Sequence, residues 1–225
     1  MKLATFSPLP SGNPRPGLVV GDKSVIDIPG ALGADESTSS MLGLIRAGAP
    51  MLQRLRELAA KPATGALALA DVKLHAPIPR PAKNVFCVGW NYLEHFEEGA
   101  KKLQEKRELP VHPVFFSKAV SAVTGPFDSV PFAAKVSTSY DWEVELGVII
   151  GTTGKDISEG DAMRHIWGYT VINDVSVRDV QRYHGGQWHK GKSFDGTCPM
   201  GPWIVTADEG LDPNNLRVTC RVNGV

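Results

Sequence analysis

Three carboxylates stand among apolar, strand-forming residues. Glu143 and Glu145 lie in Tyr140-Asp-Trp-Glu-Val-Glu-Leu-Gly-Val-Ile-Ile150, and Asp174 ends Tyr169-Thr-Val-Ile-Asn-Asp174. In an extended run successive side chains point to opposite faces, so Glu143 and Glu145 share one face while Trp142, Val144 and Leu146 take the other. Two like charges side by side in a poorly solvated sheet raise each other's pKa or require a cation. Hard divalent ions take oxygen ligands, and Mg2+ uses few carboxylates, leaving its other positions to water and substrate. The plain structural alternative is a half-exposed strand with one polar face.

A second set lies in Gly89-Trp-Asn-Tyr-Leu-Glu-His95-Phe-Glu-Glu98. On a helix His95 and Glu98, three apart, occupy one face. A carboxylate bonded to one imidazole nitrogen fixes the tautomer and raises the basicity of the other, which suits deprotonation of a water. The alternative is a solvated surface helix. The segment from Tyr92 to Pro110 is charge-rich and lies between two strand candidates, as lids do.

A third set follows Asp174: Arg178 and Gln181, then Lys190-Gly-Lys192-Ser-Phe-Asp-Gly-Thr-Cys-Pro199. With a helix over 175–183, Arg178 falls one turn beyond Asp174 and Gln181 two, along one side. Arg offers a rigid fork for carboxylates, whereas Lys192 in a Gly-flanked loop offers a flexible point charge. The competing readings are an i,i+4 pair of Arg178 with Asp174, an exposed Gln181 and a solvated Lys192. Trp188 and His189 fall in the intervening loop. His189 has no carboxylate or cysteine at a fixed spacing and reads as surface.

These groups need strands to hold them. Runs at 84–88, 114–117, 146–150, 167–172, 203–205 and 217–222, with Gly and Pro turns between, predict a mostly β domain with a mixed or rolled sheet. The first 75 residues predict short strands at 2–6, 17–20 and 24–27. Helix follows from 41 to 58, capped by Ser39 or Ser40 and divided at Pro50. The proline-dense His75-Ala-Pro-Ile-Pro-Arg-Pro81 marks an expected boundary between an N-terminal structural domain, 1–75, and a catalytic domain, 80–225.

A chain of 225 residues is long enough for a proper core. Its 24 Lys and Arg balance 24 Asp and Glu, so no net field points to nucleic acid or to an acidic membrane. Cys87, Cys198 and Cys220 are odd in number and without metal-type spacing, which argues for a reducing compartment. Cys198 and Cys220 are expected as buried small hydrophobes. No window has signal-peptide or membrane-spanning character, so a soluble, cytoplasmic protein is expected. Asn223-Gly224 reads as a hairpin turn, and a chain ending one residue later predicts part of a longer protein.

Together, Gly89-x-Asn-Tyr92 with His95-x-x-Glu98, Glu143-x-Glu145, Asp174-x-x-x-Arg178-Asp-Val-Gln181 and Lys192-Ser-Phe-Asp-x-x-Cys-Pro199 resemble the fumarylacetoacetate hydrolase superfamily, closely over 80–206. The first 75 residues are similar to the variable N-terminal domain of many members. The resemblance implies a mostly β (α+β) fold, the family's β-roll with a small N-terminal α+β domain, assembled as a homodimer. It implies Glu143, Glu145 and Asp174 as ligands of Mg2+ (or Mn2+ or Ca2+). It implies His95 and Glu98 as a water-activating dyad on a mobile lid. Arg178, Gln181, Lys192 and Tyr92 would surround the substrate, with Lys192 also serving catalysis. Glu94 stands where many members have Asp, and the family's Thr-Gly-Thr-Pro segment is not among these residues.

The implied reaction is hydrolysis of a C–C bond in a 2,4-dioxo acid of the acylpyruvate type, such as fumarylpyruvate. His95, aided by Glu98, takes a proton from water, which attacks the distal carbonyl. Cleavage between C3 and C4 yields a carboxylic acid and a metal-stabilised enolate of pyruvate, with Lys192 and Gln181 at the developing oxyanion. Decarboxylation of a 2-oxo acid such as oxaloacetate, and keto–enol or diene isomerisation, use the same scaffold without an attacking water. A degenerate metal- or small-molecule-binding protein is the remaining alternative, disfavoured because every motif position is intact.

Overall fold

The computed structural model describes residues 1–103 and 108–225, apart from the side chains of His95, Ala100, Lys102 and Leu103. In chain order the first strands are β1 (Lys2–Pro8), β2 (Arg15–Val20), β3 (Ser24–Asp27), β4 (Leu67–Ala68) and β5 (Val72–His75). The next are β6 (Val85–Gly89), β7 (Val114–Lys118), β8 (Val123–Thr124), β9 (Tyr140–Asp141) and β10 (Val144–Ile150). The last are β11 (Ile166–Asn173), β12 (Ser176–Val177), β13 (Cys198–Pro199) and β14 (Ile204–Thr206). The helices are α1 (Ile28–Leu32), α2 (Met41–Arg46), α3 (Gly48–Ala59), α4 (Leu93–Leu103), α5 (Arg178–Tyr183) and α6 (Trp188–Lys192). The chain is sheet-rich with few helices, as its sequence predicts.

One eight-stranded sheet runs β10-β11-β14-β1-β2-β3-β4, with β5 also paired to β1. β1 makes this continuity. Lys2 and Leu3 pair with β14, residues 5–8 on the same edge pair with β5, and β2 takes the other edge. Core packing crosses the sheet in the same way. Leu3, Leu18, Leu44, Met51 and Leu55 from the first 75 residues share one buried cluster with Trp167, Ile172 and Ile204. That burial fixes β14, and through it β11, the strand leading to Asp174.

Local chemistry explains the helix ends. The Ser40 hydroxyl accepts a hydrogen bond from the Gly43 amide at 3.0 Å, satisfying a first-turn donor with no partner of its own. The expected break falls at Ala47 and Gly48, with Gly48 at φ 62°, instead of at Pro50. Pro50 sits in the first turn of α3, where a missing N–H leaves no helical bond unmade.

Around the site the elements are short. β6 and β7 form an antiparallel ribbon, β9 pairs with β12, and β13 runs parallel to β8. The apolar run over 140–150 is therefore two strands in two sheets, with Glu143 in the gap between them. The Glu143 amide donates to Asn173 Oδ1 at 3.1 Å, and the Asp174 amide to the Glu143 carbonyl at 2.8 Å, so the gap stays locked to the end of β11. The helix expected from 175 starts at Arg178, because Ser176 and Val177 pair with β9 first.

Trp188 and His189 lie in α6 and not in a loop, and His189 is exposed as expected. Residues 217–222 form no strand and pair with none among the described residues, and Cys220 is exposed rather than buried. Asn223 and Gly224 do make the expected turn, with φ 53° and 83° and reciprocal Val222–Val225 amide bonds of 3.0 and 3.1 Å. Cys198 is buried, and burial pushes its thiol up to about 11 and that of Cys87 up to about 12, which keeps both as inert thiols. Among the described residues no helix is long and apolar enough to cross a membrane.

Candidate active site

β10, the loop after β11 and the gap after β9 bring Glu143, Glu145 and Asp174 together. One ligand oxygen from each lies within 4.8 Å of the others. Their surroundings differ. Burial works to raise the Glu143 carboxyl, but Lys192 and Arg178 outweigh it and hold it at about 2. Although the Glu145 backbone lies in the β10–β11 ladder, its carboxylate makes no hydrogen bond or ion pair among the described residues. Burial, then the charges of Asp174 and Glu143, push it up to about 7. Asp174 is 1% exposed. Lys118 Nζ stands 2.8 Å from its Oδ1 but off the line a hydrogen bond needs, so this buried oxygen has no hydrogen-bond donor among the described residues.

The donors are all carboxylate oxygens, the buried Asp174 Oδ1 is ion-paired to Lys118 without a hydrogen bond, and the Glu145 carboxylate has no hydrogen bond or ion pair among the described residues. A hard divalent ion matches this set; a soft, thiolate-seeking ion does not. Glu143, Glu145 and Asp174 are the residues that could hold it.

Two buried cations, Lys192 and Lys118, and the half-buried Arg178 border the carboxylates. Lys192, 2% exposed, places Nζ 2.5 Å from Glu143 Oε2 and 2.6 Å from Asp174 Oδ2. It also lies 4.9 Å above the Phe116 ring, within cation–π range. Lys118 is fully buried and donates to the Val175 carbonyl at 3.0 Å. Arg178 Nη2 reaches Glu143 Oε1 at 2.5 Å and Asp141 Oδ2 at 2.7 Å, while Nη1 donates to Gln181 Oε1 at 3.1 Å. Arg178 is thus not the i,i+4 partner of Asp174, and Gln181 is buried, not exposed.

Close approach at two glycines seats Lys192. A Cβ on Gly191 would fall 2.4 Å from the Gln181 backbone nitrogen, so only glycine lets α6 pack on α5. A Cβ on Gly89 would fall 2.6 Å from Trp188, the first residue of α6. Trp188 in turn packs edge-on against Trp90 and Phe116, with centroids 5.1 and 5.4 Å away.

α4 occupies the place expected of the lid. Phe96 is buried against Trp90, and the Tyr92 hydroxyl accepts from the Leu146 amide at 3.1 Å, pinning the start of α4 to β10. Glu98 is exposed on α4. The His95 side chain, and with it the expected His95–Glu98 dyad, lies outside the described residues. The structure therefore gathers Glu143, Glu145, Asp174, Arg178, Gln181 and Lys192 in one place, with Tyr92 joined to them through β10.

Sequence reasoning missed Lys118, Asp141 and Ser176, whose hydroxyl lies 3.2 Å from Glu143 Oε2. Lys118 had a signal, since it closes the apolar run Val114-Phe-Phe-Ser as its sole charge. Asp141 shares the Glu143 run, but only strand pairing reveals that it meets Arg178.

A family model described as Fumarylacetoacetate (FAA) hydrolase C-terminal matches residues 84–225. The oxaloacetate tautomerase YisK of Bacillus subtilis (strain 168) is 38% identical over 219 residues, covering 92% of this chain and 71% of the relative. The mitochondrial oxaloacetate tautomerase FAHD2A of Bos taurus is 41% identical over 228 aligned residues, covering 100% of this chain and 68% of the relative. Among solved structures, maleylpyruvate hydrolase from Sphingobium sp. SYK-6, in complex with manganese (II) ion and pyruvate, matches with a TM-score of 0.69 at 32% identity. That match covers 95% of this chain and 70% of the other. With the family model spanning more than half of its length and relatives this similar across the rest, the chain belongs to the fumarylacetoacetate hydrolase family.

Proposed function

We propose that this chain carries the active site of a divalent-metal-dependent enzyme acting on small 2-oxo acids, and that its reaction is the keto–enol interconversion of an oxaloacetate-like acid. The observation that carries the chemistry is the convergence of Glu143, Glu145 and Asp174, with the buried Asp174 Oδ1 beside the Lys118 ammonium but accepting no hydrogen bond. The choice of reaction rests on relatives named oxaloacetate tautomerases that match 92% and 100% of the chain. Their similarity moves isomerisation ahead of the hydrolysis that the motifs alone place first.

A divalent ion such as Mg2+ or Mn2+, held by the three carboxylates, supplies Lewis-acid polarisation of the oxo acid's oxygens. Lys192, at the edge of the carboxylate group, puts positive charge beside the 2-oxo oxygen as it gains charge. Tautomerisation removes one proton from the enol hydroxyl and delivers one to C3, with no net gain or loss. His95 and Glu98, three apart on α4, are the groups proposed to carry that proton. Gln181 and Tyr92 are proposed to line the substrate, and a homodimer in a reducing, cytoplasmic compartment completes the proposal.

A second reading, C–C hydrolysis of an acylpyruvate, is favoured by the likeness to a maleylpyruvate hydrolase. One experiment separates the two. The protein with Mg2+ or Mn2+ is given enol oxaloacetate and a panel of acylpyruvates, with enol absorbance and pyruvate release followed together. Faster enol decay without pyruvate release is the expected result. Acylpyruvate loss with pyruvate release, abolished in His95→Ala, establishes hydrolysis instead. Metal binding without either reaction overturns both.

A further inference from the structure

Arg178 has almost no donor left for a substrate. Its Nε donates to Asp141 Oδ2 at 2.8 Å, and Nη2 lies 2.7 Å from the same oxygen. The opposite fork is also engaged, through Nη1 with Gln181 Oε1 at 3.1 Å and Nη2 with Glu143 Oε1 at 2.5 Å. Each of the three guanidinium nitrogens is committed to protein oxygens, so the planar bidentate face that would clasp a carboxylate is filled on both sides.

The backbone builds this arrangement. In the β9–β12 pair Ser176 stands opposite Asp141 and Val177 opposite Tyr140, and the Arg178 amide donates to the Ser139 carbonyl at 2.8 Å. The register therefore delivers Asp141 to one edge of the guanidinium while the chain beyond β9 delivers Glu143 to the other. Ser176, on the same small sheet, touches Glu143 Oε2 at 3.2 Å. Glu143 is thus gripped at both oxygens, with Arg178 on Oε1 and Lys192 with Ser176 on Oε2. Glu145, with no such partners, has only the backbone of β10 to aim it. Asp141 is not one of the three carboxylates whose oxygens converge, and its side chain is 41% exposed.

We infer that Asp141 and Arg178 form a positioning device that holds Glu143 in the orientation from which it ligates a divalent ion, making Asp141 a determinant of metal affinity that never contacts the metal. The inference rests on the proposed role of Glu143 as a ligand. Outer partners of metal ligands carry about 10–100-fold in affinity. Asp141→Asn keeps the shape but removes the charge that fixes Arg178, and is expected to weaken Mn2+ binding by about tenfold or more. Asp141→Glu, which still reaches the guanidinium, should recover most of that loss.

The test is calorimetric Mn2+ titration of the wild type, Asp141→Asn, Asp141→Glu and Glu143→Gln, with the Mn2+ electron paramagnetic resonance spectrum as a report on ligand symmetry. Weaker binding in Asp141→Asn with an altered spectrum and recovery in Asp141→Glu supports the device. Wild-type binding by Asp141→Asn, while Glu143→Gln has lost it, overturns the positioning role and leaves the metal site standing. Wild-type binding by Glu143→Gln overturns the ligand assignment itself. Should Asp141→Asn not fold, Arg178→Lys takes its place: it keeps the charge, loses the fork, and is expected to show the same weakened binding, whereas wild-type affinity there refutes the device.

Discussion

Lys192→Met is the perturbation that most directly weighs the electrostatics of the site. Methionine preserves the apolar stem against Phe116 and deletes one ammonium that sits 2.5 Å from Glu143 and 2.6 Å from Asp174. The lysine and Asp174 side chains are 3% and 2% exposed, so water cannot replace the lost charge. Removing one partner of a buried pair costs about 3–5 kcal/mol. Here each orphaned carboxylate retains another cation, Arg178 for Glu143 and Lys118 for Asp174, which places the expected loss near the low end, about 3 kcal/mol. At about 2–4 °C per kcal/mol for a chain of this size, that is a fall of about 6–12 °C in melting temperature.

The assay is thermal unfolding in chelator and again with excess Mg2+ or Mn2+. An ion at a hundredfold its Kd adds about 2.7 kcal/mol to any protein that binds it only when folded. Without the competing ammonium the variant should gain more than the wild type from metal. A variant melting within about 2 °C of wild type in chelator, or one whose metal shift is smaller than the wild type's, would show that Lys192 is not a counter-ion to these carboxylates.

Glu145→Gln should act with the opposite sign. Because the folded protein raises Glu145 to about 7 from an ordinary 4.5, the group favours folding least when ionised, and its destabilisation grows as pH rises from 4.5 through 7. Glutamine removes that penalty, so the metal-free variant should melt higher than wild type at pH 8, by up to about 3 kcal/mol, and no higher at pH 4, while its metal binding is lost. A variant that destabilises at pH 8 contradicts the assignment. Gly191→Ala drives a methyl into the Gln181 backbone and should cost about 1–3 kcal/mol, with a loss of Mn2+ affinity as α6 and Lys192 shift; unchanged melting and binding would show that α6 can move without consequence.

Much of the site was legible because its residues contradict their surroundings. Charges inside apolar runs, as at Glu143, Glu145 and Asp174, announce a site before any fold is known. What pairs with what was not legible. Arg178 looks like a helical neighbour of Asp174 only while residues 174–178 are drawn as helix. Two residues of β12 pairing with β9 break that helix and turn Arg178 toward Asp141 and Glu143. The strand expected at 146–150 is there as β10, but the break at Glu143 was not legible, since the switch between sheets leaves the apolar pattern unchanged on either side. Ser40, by contrast, caps α2 through an interaction with a residue three away, and such local chemistry reads directly. The continuity of β1 with β14 spans some two hundred positions, and no local pattern encodes it.

The charges at the site also constrain what it can attract. Asp141, Glu143, Glu145 and Asp174 face Lys118, Arg178 and Lys192, so once Glu145 is ionised four carboxylates meet three cations, leaving one negative charge in excess. The chain as a whole is neutral, which leaves recognition of an anion to this local balance. In that state the site repels a dicarboxylate. A divalent ion reverses the sign to one positive charge, concentrated where Glu145 has no counter-charge of its own. On the proposed function, ion and oxo acid must then bind in that order, and each should tighten the other: an unreactive dicarboxylate such as oxalate should show weak binding in chelator and markedly tighter binding once Mn2+ is present. Equal oxalate affinity in both conditions would mean that the three cations alone receive the anion, and the carboxylate group would lose its role in substrate binding.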